Sequence, residues 1–162
     1  MANTTREETL LAAVMSPKSA WTAAQAARFL HDSREPMRLS TVDDDGYPHV
    51  TSLWYLPVDG ELLCCTQGSA VLCRHLRHNP RVGFEVAVSA PPYRGLSGQA
   101  QAAIVERAAA PLLKDLMDRY LDGRDERLRC WLLSRIDTEV VIALRLRRVT
   151  SWDFGRRMSA AG

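Results

Sequence analysis

Five residues in the middle of the chain, Cys65-Thr66-Gln67-Gly68-Ser69, stand where a strand pattern runs into a helix pattern. A helix start leaves backbone N–H groups without partners and carries the positive end of the peptide dipole. An anion, a phosphate above all, suits such a place. Thr66, Gln67 and Ser69 add side-chain donors. The plainer reading of Ser69 is a helix N-cap.

Metal-ligating types follow at once. Cys73 and the pair His75 and His78 lie on the same predicted helix, the histidines three positions apart. No third ligand has a zinc spacing, and Arg74 and Arg77 are neighbours, so they read as a solvated helix face and not a metal site. Gly95-Leu96-Ser97-Gly98 lacks the spacing of a nucleophile elbow and sits inside a strand pattern. Neither a dinucleotide fingerprint nor a P-loop occurs. Trp152 ends the last strand pattern, at a rim where an indole can cover a flat ligand. Arg156 and Arg157 bring two cations close behind it. Tyr55 and Phe154 read as core aromatics. His49 alternates with Val50 and turns away.

The elements that must position these residues follow from periodicity and punctuation. Helices are predicted over residues 5–15 and over 22–31, the second capped by Thr22. Strand patterns cover 37–42, 47–56 and 61–66, separated by the turns Asp43-Asp44-Asp45-Gly46 and Asp59-Gly60, which reads as a three-stranded meander. A short helix over 69–78 ends at Asn79-Pro80. Strands over 81–88 and 94–106 follow; Gly95 and Gly98 mark a bulge or a close backbone approach. The 3.6-residue spacing of Leu112, Leu113, Leu116, Met117, Tyr120 and Leu121 predicts an amphipathic helix. Another is expected over 125–135, then a last strand over 139–152. The fold class is therefore mainly β: a six-stranded antiparallel barrel with peripheral helices. Residues 1–35 are expected to supply helices that pack on a barrel formed by 36–162.

The 162 residues, 46% apolar and 25% charged, suit a globular chain with a real core. A net charge of +2 argues against a duplex nucleic-acid partner. No apolar run approaches the roughly 20 residues of a membrane span, and the acidic N-terminus does not read as a secretory leader. The four cysteines, Cys64, Cys65, Cys73 and Cys130, suggest neither a disulfide framework nor a zinc ribbon. A cytoplasmic protein is expected.

Together the segments LSTVDDDGYPHVTSLWYL, ELLCCTQGSAVLCRHLRHNPRVGFEV, PPYRGLSGQAQ and SWDFGRRM resemble the pyridoxamine 5′-phosphate oxidase-like, FMN-binding split-barrel family. The resemblance runs from about Phe29 to Met158. It implies a six-stranded split barrel, a homodimer and two cofactor sites at the interface. It further implies that the backbone of Thr51, Ser52, Leu53 and Trp54 lines the flavin ring. Cys65, Thr66, Gln67 and Ser69 would contact the ribityl chain and phosphate.

One departure matters. The founding oxidase holds the phosphate with an Arg-Lys pair, and an ungapped reading puts Val71 and Leu72 at those positions. Charge-assisted hydrogen bonds contribute roughly 1.5–3 kcal/mol each, so the loss is large. Arg74 is the first candidate replacement, Arg94 the second. The substrate Arg and His of true pyridoxamine phosphate oxidases are not evident in SWDFGRRM, so vitamin B6 synthesis is not expected. The resemblance thus implies an oxidoreductase using FMN on a small organic substrate. The alternatives are an F420-dependent reductase, and a non-catalytic flavin-, haem- or tetrapyrrole-binding protein.

Overall fold

The computed structural model describes residues 2–159, with side chains from Arg6 onward. Helix α1 (Ala2–Val14) precedes α2 (Ala23–Asp32), which starts where the sequence predicts. The Thr22 hydroxyl accepts from the Gln25 amide while the Gln25 side chain accepts from the Thr22 amide, a reciprocal cap. Ala26, Ala27 and Leu30 form its buried face.

The strands are β1 (Met37–Val42), β2 (Pro48–Leu53), β3 (Leu56–Val58), β4 (Glu61–Gln67), β5 (Arg81–Ala87), β6 (Arg94–Val105) and β7 (Glu139–Asp153). Between them lie α3 (Val71–His78), α4 (Ala109–Leu121) and α5 (Glu126–Leu133), and α6 (Gly155–Ser159) follows β7. All strand pairs are antiparallel, in the order β2-β1-β5-β6-β7-β4-β3. The two end strands, β2 and β3, are joined by Trp54 and Tyr55 alone. The sheet therefore curls until its ends meet, which makes a barrel.

That junction corrects the predicted meander. Residues 47–56 do not form one strand between two neighbours. They leave β1 at Leu53 and join β4 from Leu56, so seven strands replace the expected six. Aromatic anchoring holds the break: Tyr55 is fully buried and its hydroxyl donates to the Leu30 carbonyl at 2.9 Å. The Trp54 ring stacks on Tyr120 of α4 at 5.2 Å. Both expected turns form, and Gly60 occupies one with a φ of +85° that favours glycine.

β6 and β7 make the longest ribbon, paired from Arg94↔Asp153 to Val105↔Val141, with a bulge beside Gln99 and Ala100. A Cβ on Gly98 would lie 2.1 Å from the Arg148 carbonyl oxygen, so the predicted close approach is real. The main core fills the barrel with Met37, Leu39, Leu62, Phe84, Val86, Leu96, Ile142 and Leu144, and it includes Leu11 and Leu30 from the N-terminal helices. A second cluster lies under α4, joining Leu63, Val141 and Ala143 to Leu112 and Leu116. Phe154, expected in the core, is 40% exposed because the chain has left the ribbon by then.

Candidate functional site

The barrel has a natural opening. Among the described residues β2 pairs only with β1, and the end of β4 from Cys65 to Gln67 pairs only with β7. Their facing edges are unpaired above Leu56, where the β3–β4 ladder stops. The predicted ring-lining residues stand on one side of this split and the predicted phosphate-contacting residues on the other.

Side-chain direction sorts them. Thr51 and Leu53 sit opposite Leu39 and Met37 on the inner face, while Ser52 sits opposite Arg38 on the outer face. Trp54 is engaged by Tyr120. Thr66 shares the barrel side with Cys64, whereas Cys65 faces α4 and its thiol donates to the Ala109 carbonyl at 3.9 Å. Burial pushes the Cys65 thiol up to about 12, with Glu139 adding to the effect, so it supplies no thiolate. The Gln67 side chain is occupied too: it donates to Glu139 and accepts from the Thr138 hydroxyl.

α3 begins two residues later than predicted. Its N-cap is Ala70, which makes no side-chain cap, and Ser69 is an exposed turn residue instead. Among the described residues the amides of Val71 and Leu72 have no backbone acceptor; those of Cys73 and Arg74 turn back to Ala70. The helix start is thus open, two residues after the exposed Ser69. Val71 is 54% exposed, but Leu72 is 5% exposed and belongs to the main core. Arg74, one turn on, is exposed and makes no side-chain hydrogen bond or ion pair among the described residues.

Arg94 and Trp152 lie elsewhere. Gln67 pairs with Glu139 at one end of β7, and Trp152 is near the other, roughly 40 Å along the strand at about 3.3 Å per residue. Arg94 pairs with Asp153 at that far end. On β7 the Cys65–Gln67 segment and the Arg94–Trp152 pair therefore stand at opposite ends, while Ser52 of β2 shares its register row with Thr150, close to Trp152.

Two residues escaped the sequence reading. His75 is not solvated: it is 2% exposed, its Nδ1 lies 3.0 Å from the Thr41 hydroxyl, and its Nε2 is buried without a partner. The His49 ring lies 4.9 Å from it, and His49 Nε2 is 2.8 Å from the Asp43 carboxylate. Thus His49 turns toward α3. Leu72, His75 and Leu76 share the spacing of one helix face, which is the signal that places His75 inside. Among the described residues no cluster could hold a metal ion, and no helix is long and apolar enough to cross a membrane.

An antiparallel barrel split beside an open helix start defines the class, and the sequence pattern of the pyridoxamine 5′-phosphate oxidase family matches residues 23–153. The chain belongs to that family. Its fold is similar to a conserved hypothetical protein from Mycobacterium tuberculosis, with 27% identity over 90% of this chain and 92% of that one and a TM-score of 0.71. It is similar to an F420 reductase, with 24% identity, 75% and 93% coverage and a TM-score of 0.62. It is also similar to a haem storage protein from Vibrio cholerae, with 20% identity, 75% and 89% coverage and a TM-score of 0.57. No curated protein matches the sequence. The fold is thus shared with a reductase and with a haem storage protein.

Proposed function

We propose that this protein is an oxidoreductase that holds a phosphate-bearing flavin, FMN, in the barrel split, and that it acts on a small organic substrate. The single observation that carries this reading is the open start of α3 beside the split. The free amides of Val71 and Leu72, the Ser69 hydroxyl and the unpaired Arg74 make a donor set that fits an anion. When bound, the flavin supplies hydride transfer at its ring. The chain's own part is to orient it: the unpaired edges of Thr51–Leu53 and Cys65–Gln67 offer backbone donors and acceptors along the split. Cys65 and Gln67 contribute through backbone, since their side chains are already engaged.

A second reading, F420, is favoured by the apolar first turn. Val71 and Leu72 replace a cation pair, which suits a singly charged phosphodiester better than a phosphate dianion.

The assembly proposed is a homodimer. The outer faces of β2, β1, β5, β6 and β7 carry an uncovered groove of about 550 Å³, floored by Gly83 and Gly98. One in-register row across it is Val50, Ser40, Gly83, Gln99 and Arg148; Val50 is 67% exposed. A second copy on this face would supply Arg94 and Trp152 to the α3 half of its partner.

The test is the absorption spectrum of the purified protein, with titrations of FMN and F420 and sedimentation to give mass. Flavin or deazaflavin binding by a dimer supports the reading. A Soret-like band instead moves the protein to the haem-binding class, and no binding of any of these sinks it.

A further inference from the structure

Two exposed patches of opposite charge flank the uncovered groove. The β1–β2 turn carries Asp43, Asp44 and Asp45, and Tyr47 beside it is 70% exposed. The Asp43 carboxylate is spent inside the turn, on the amides of Asp45 and Tyr47 and on His49. Asp44 and Asp45 remain at the surface, Asp44 with the equally exposed His78 at 3.3 Å. At the far end of the β6–β7 ribbon Arg94, Arg156 and Arg157 are exposed, with no side-chain partner among the described residues. Tyr93, Phe154 and Met158 share that end and are exposed too. We propose that a second copy of this chain covers both patches at once: α6 and the Tyr93 loop of each copy dock on the β1–β2 turn of the other. This rests on the homodimer reading above and names the contact that makes it.

Strand register lets the exchange close on itself. Ser40 pairs with Gly83, Arg81 with Gln101 and Gln101 with Arg145, so the β1–β2 turn lies toward the Arg81 end of the rows. Ala87 pairs with Gly95 and Arg94 with Asp153, so Tyr93 and α6 lie at the other end. β2 and β7 are also the outermost of the five strands that line the groove. The patches therefore occupy diagonally opposite corners of one face, with the Gly83–Gly98 floor between them. A two-fold axis along the other diagonal exchanges these corners. It crosses the strands of the two copies at about a right angle, one of the usual ways in which sheets stack. Each copy then gives one turn and receives one, and a closed pair satisfies both patches.

The acids inside these strands offer no rival partner. Glu85 is held by Arg38, and Asp153 by the Trp21 indole and the Gly155 amide. The two corners are four strand spacings apart across the face, roughly 19 Å. A guanidinium of one copy therefore does not reach the turn of the same copy. Exposed ion pairs alone contribute little. Tyr47 on one side, with Phe154 and Met158 on the other, supplies the apolar area of the contact, while the charges select the partner and its orientation.

Sedimentation of the full chain gives the mass, and paired charge reversals test the contact. One variant carries Arg156→Glu with Arg157→Glu, the other Asp44→Arg with Asp45→Arg. All four side chains are exposed, so both variants should fold, which circular dichroism checks. In either variant alone, both contacts of a pair set like charges against each other, and dimerisation should weaken about a hundredfold. Mixed one to one, the variants oppose unlike charges at both contacts, and the dimer should return. If one variant does not fold, salt decides with the other: it should weaken the original dimer and strengthen the variant's, as like charges are screened. Dimers of unchanged affinity in both variants overturn the docking and leave the homodimer reading standing on another surface. Loss without recovery on mixing overturns the pairing of turn with α6. A monomer throughout overturns the homodimer as well, and if that monomer co-sediments with anionic vesicles, the basic patch belongs to a membrane surface instead.

Discussion

Two helix ends in this protein are treated in opposite ways. The C-terminus of α2 is saturated. Arg119 of α4 donates to the carbonyls of Leu30, His31 and Ser33 at 2.6–2.8 Å, and Tyr55 adds a second bond to Leu30. The N-terminus of α3 has two bare amides and an Ala cap. Unpaired helix ends are costly when buried and useful when a ligand completes them. A guanidinium closes one end, and the other is left for the proposed phosphate to complete.

The largest way to break the saturated end is Arg119→Ala. It removes three charge-assisted bonds and a cation 5.4 Å from the Tyr55 ring and 5.7 Å from the Tyr120 ring. Partial hydration of the freed carbonyls offsets some of the loss. A destabilisation of about 3 kcal/mol is expected, roughly a 10 °C fall in melting temperature by calorimetry. Arg119→Lys should recover only part, because one ammonium does not span three carbonyls. A shift under about 2 °C in Arg119→Ala would remove the contrast between the two ends.

At the open end, Leu72→Lys is the next largest. Leu72 sits in the main core, so the position that carries lysine in the founding oxidase has become a packing residue here. Loss of the apolar tip, softened by a lysine stem that keeps some contact, gives about 2 kcal/mol in chemical denaturation. Thr22→Ala, at the capped start of α2, is smaller. It deletes one half of a reciprocal cap and should cost about 1 kcal/mol in the same assay.

Local chemistry made much of this legible in the sequence. The Thr22 cap, the Asp-Gly turns, the amphipathic α4 and the close approach at Gly98 are each decided by a few adjacent residues, and each appears as read. The chain crossing at Trp54 was not legible. Val50, Thr51, Trp54 and Tyr55 give the segment a continuous strand character with no turn residue before Pro57, and the long-range contacts of Tyr55 to Leu30 and Trp54 to Tyr120 cut it in two. Arg119 escaped for the same reason: its carbonyl partners are more than eighty residues away. At the candidate site the open helix start was visible from Ser69 and its neighbours. The separation of Arg94 and Trp152 from that half was not, since it depends on which end of the β6–β7 ribbon each occupies. His75 escapes a solvated-face reading because Arg74 and Arg77 flank it in sequence while its i−3 and i+1 neighbours Leu72 and Leu76 carry it into the core.

The smallest change in stability should come with the most informative change in binding. Val71 is exposed at the first position of α3, so Val71→Arg disturbs no packing. A cation there opposes the helix dipole and should lower the stability of the free protein by about 0.5 kcal/mol. With a phosphate in place the same guanidinium gains a charge-assisted bond, worth roughly tenfold or more in affinity. The variant should therefore melt slightly earlier than the original protein alone and later than it in saturating FMN. Val71→Gln, which carries no charge, should leave FMN affinity as it was. If Val71→Arg melts earlier both with and without FMN, no phosphate stands at this helix start, and the open end of α3 is as structural as the closed end of α2.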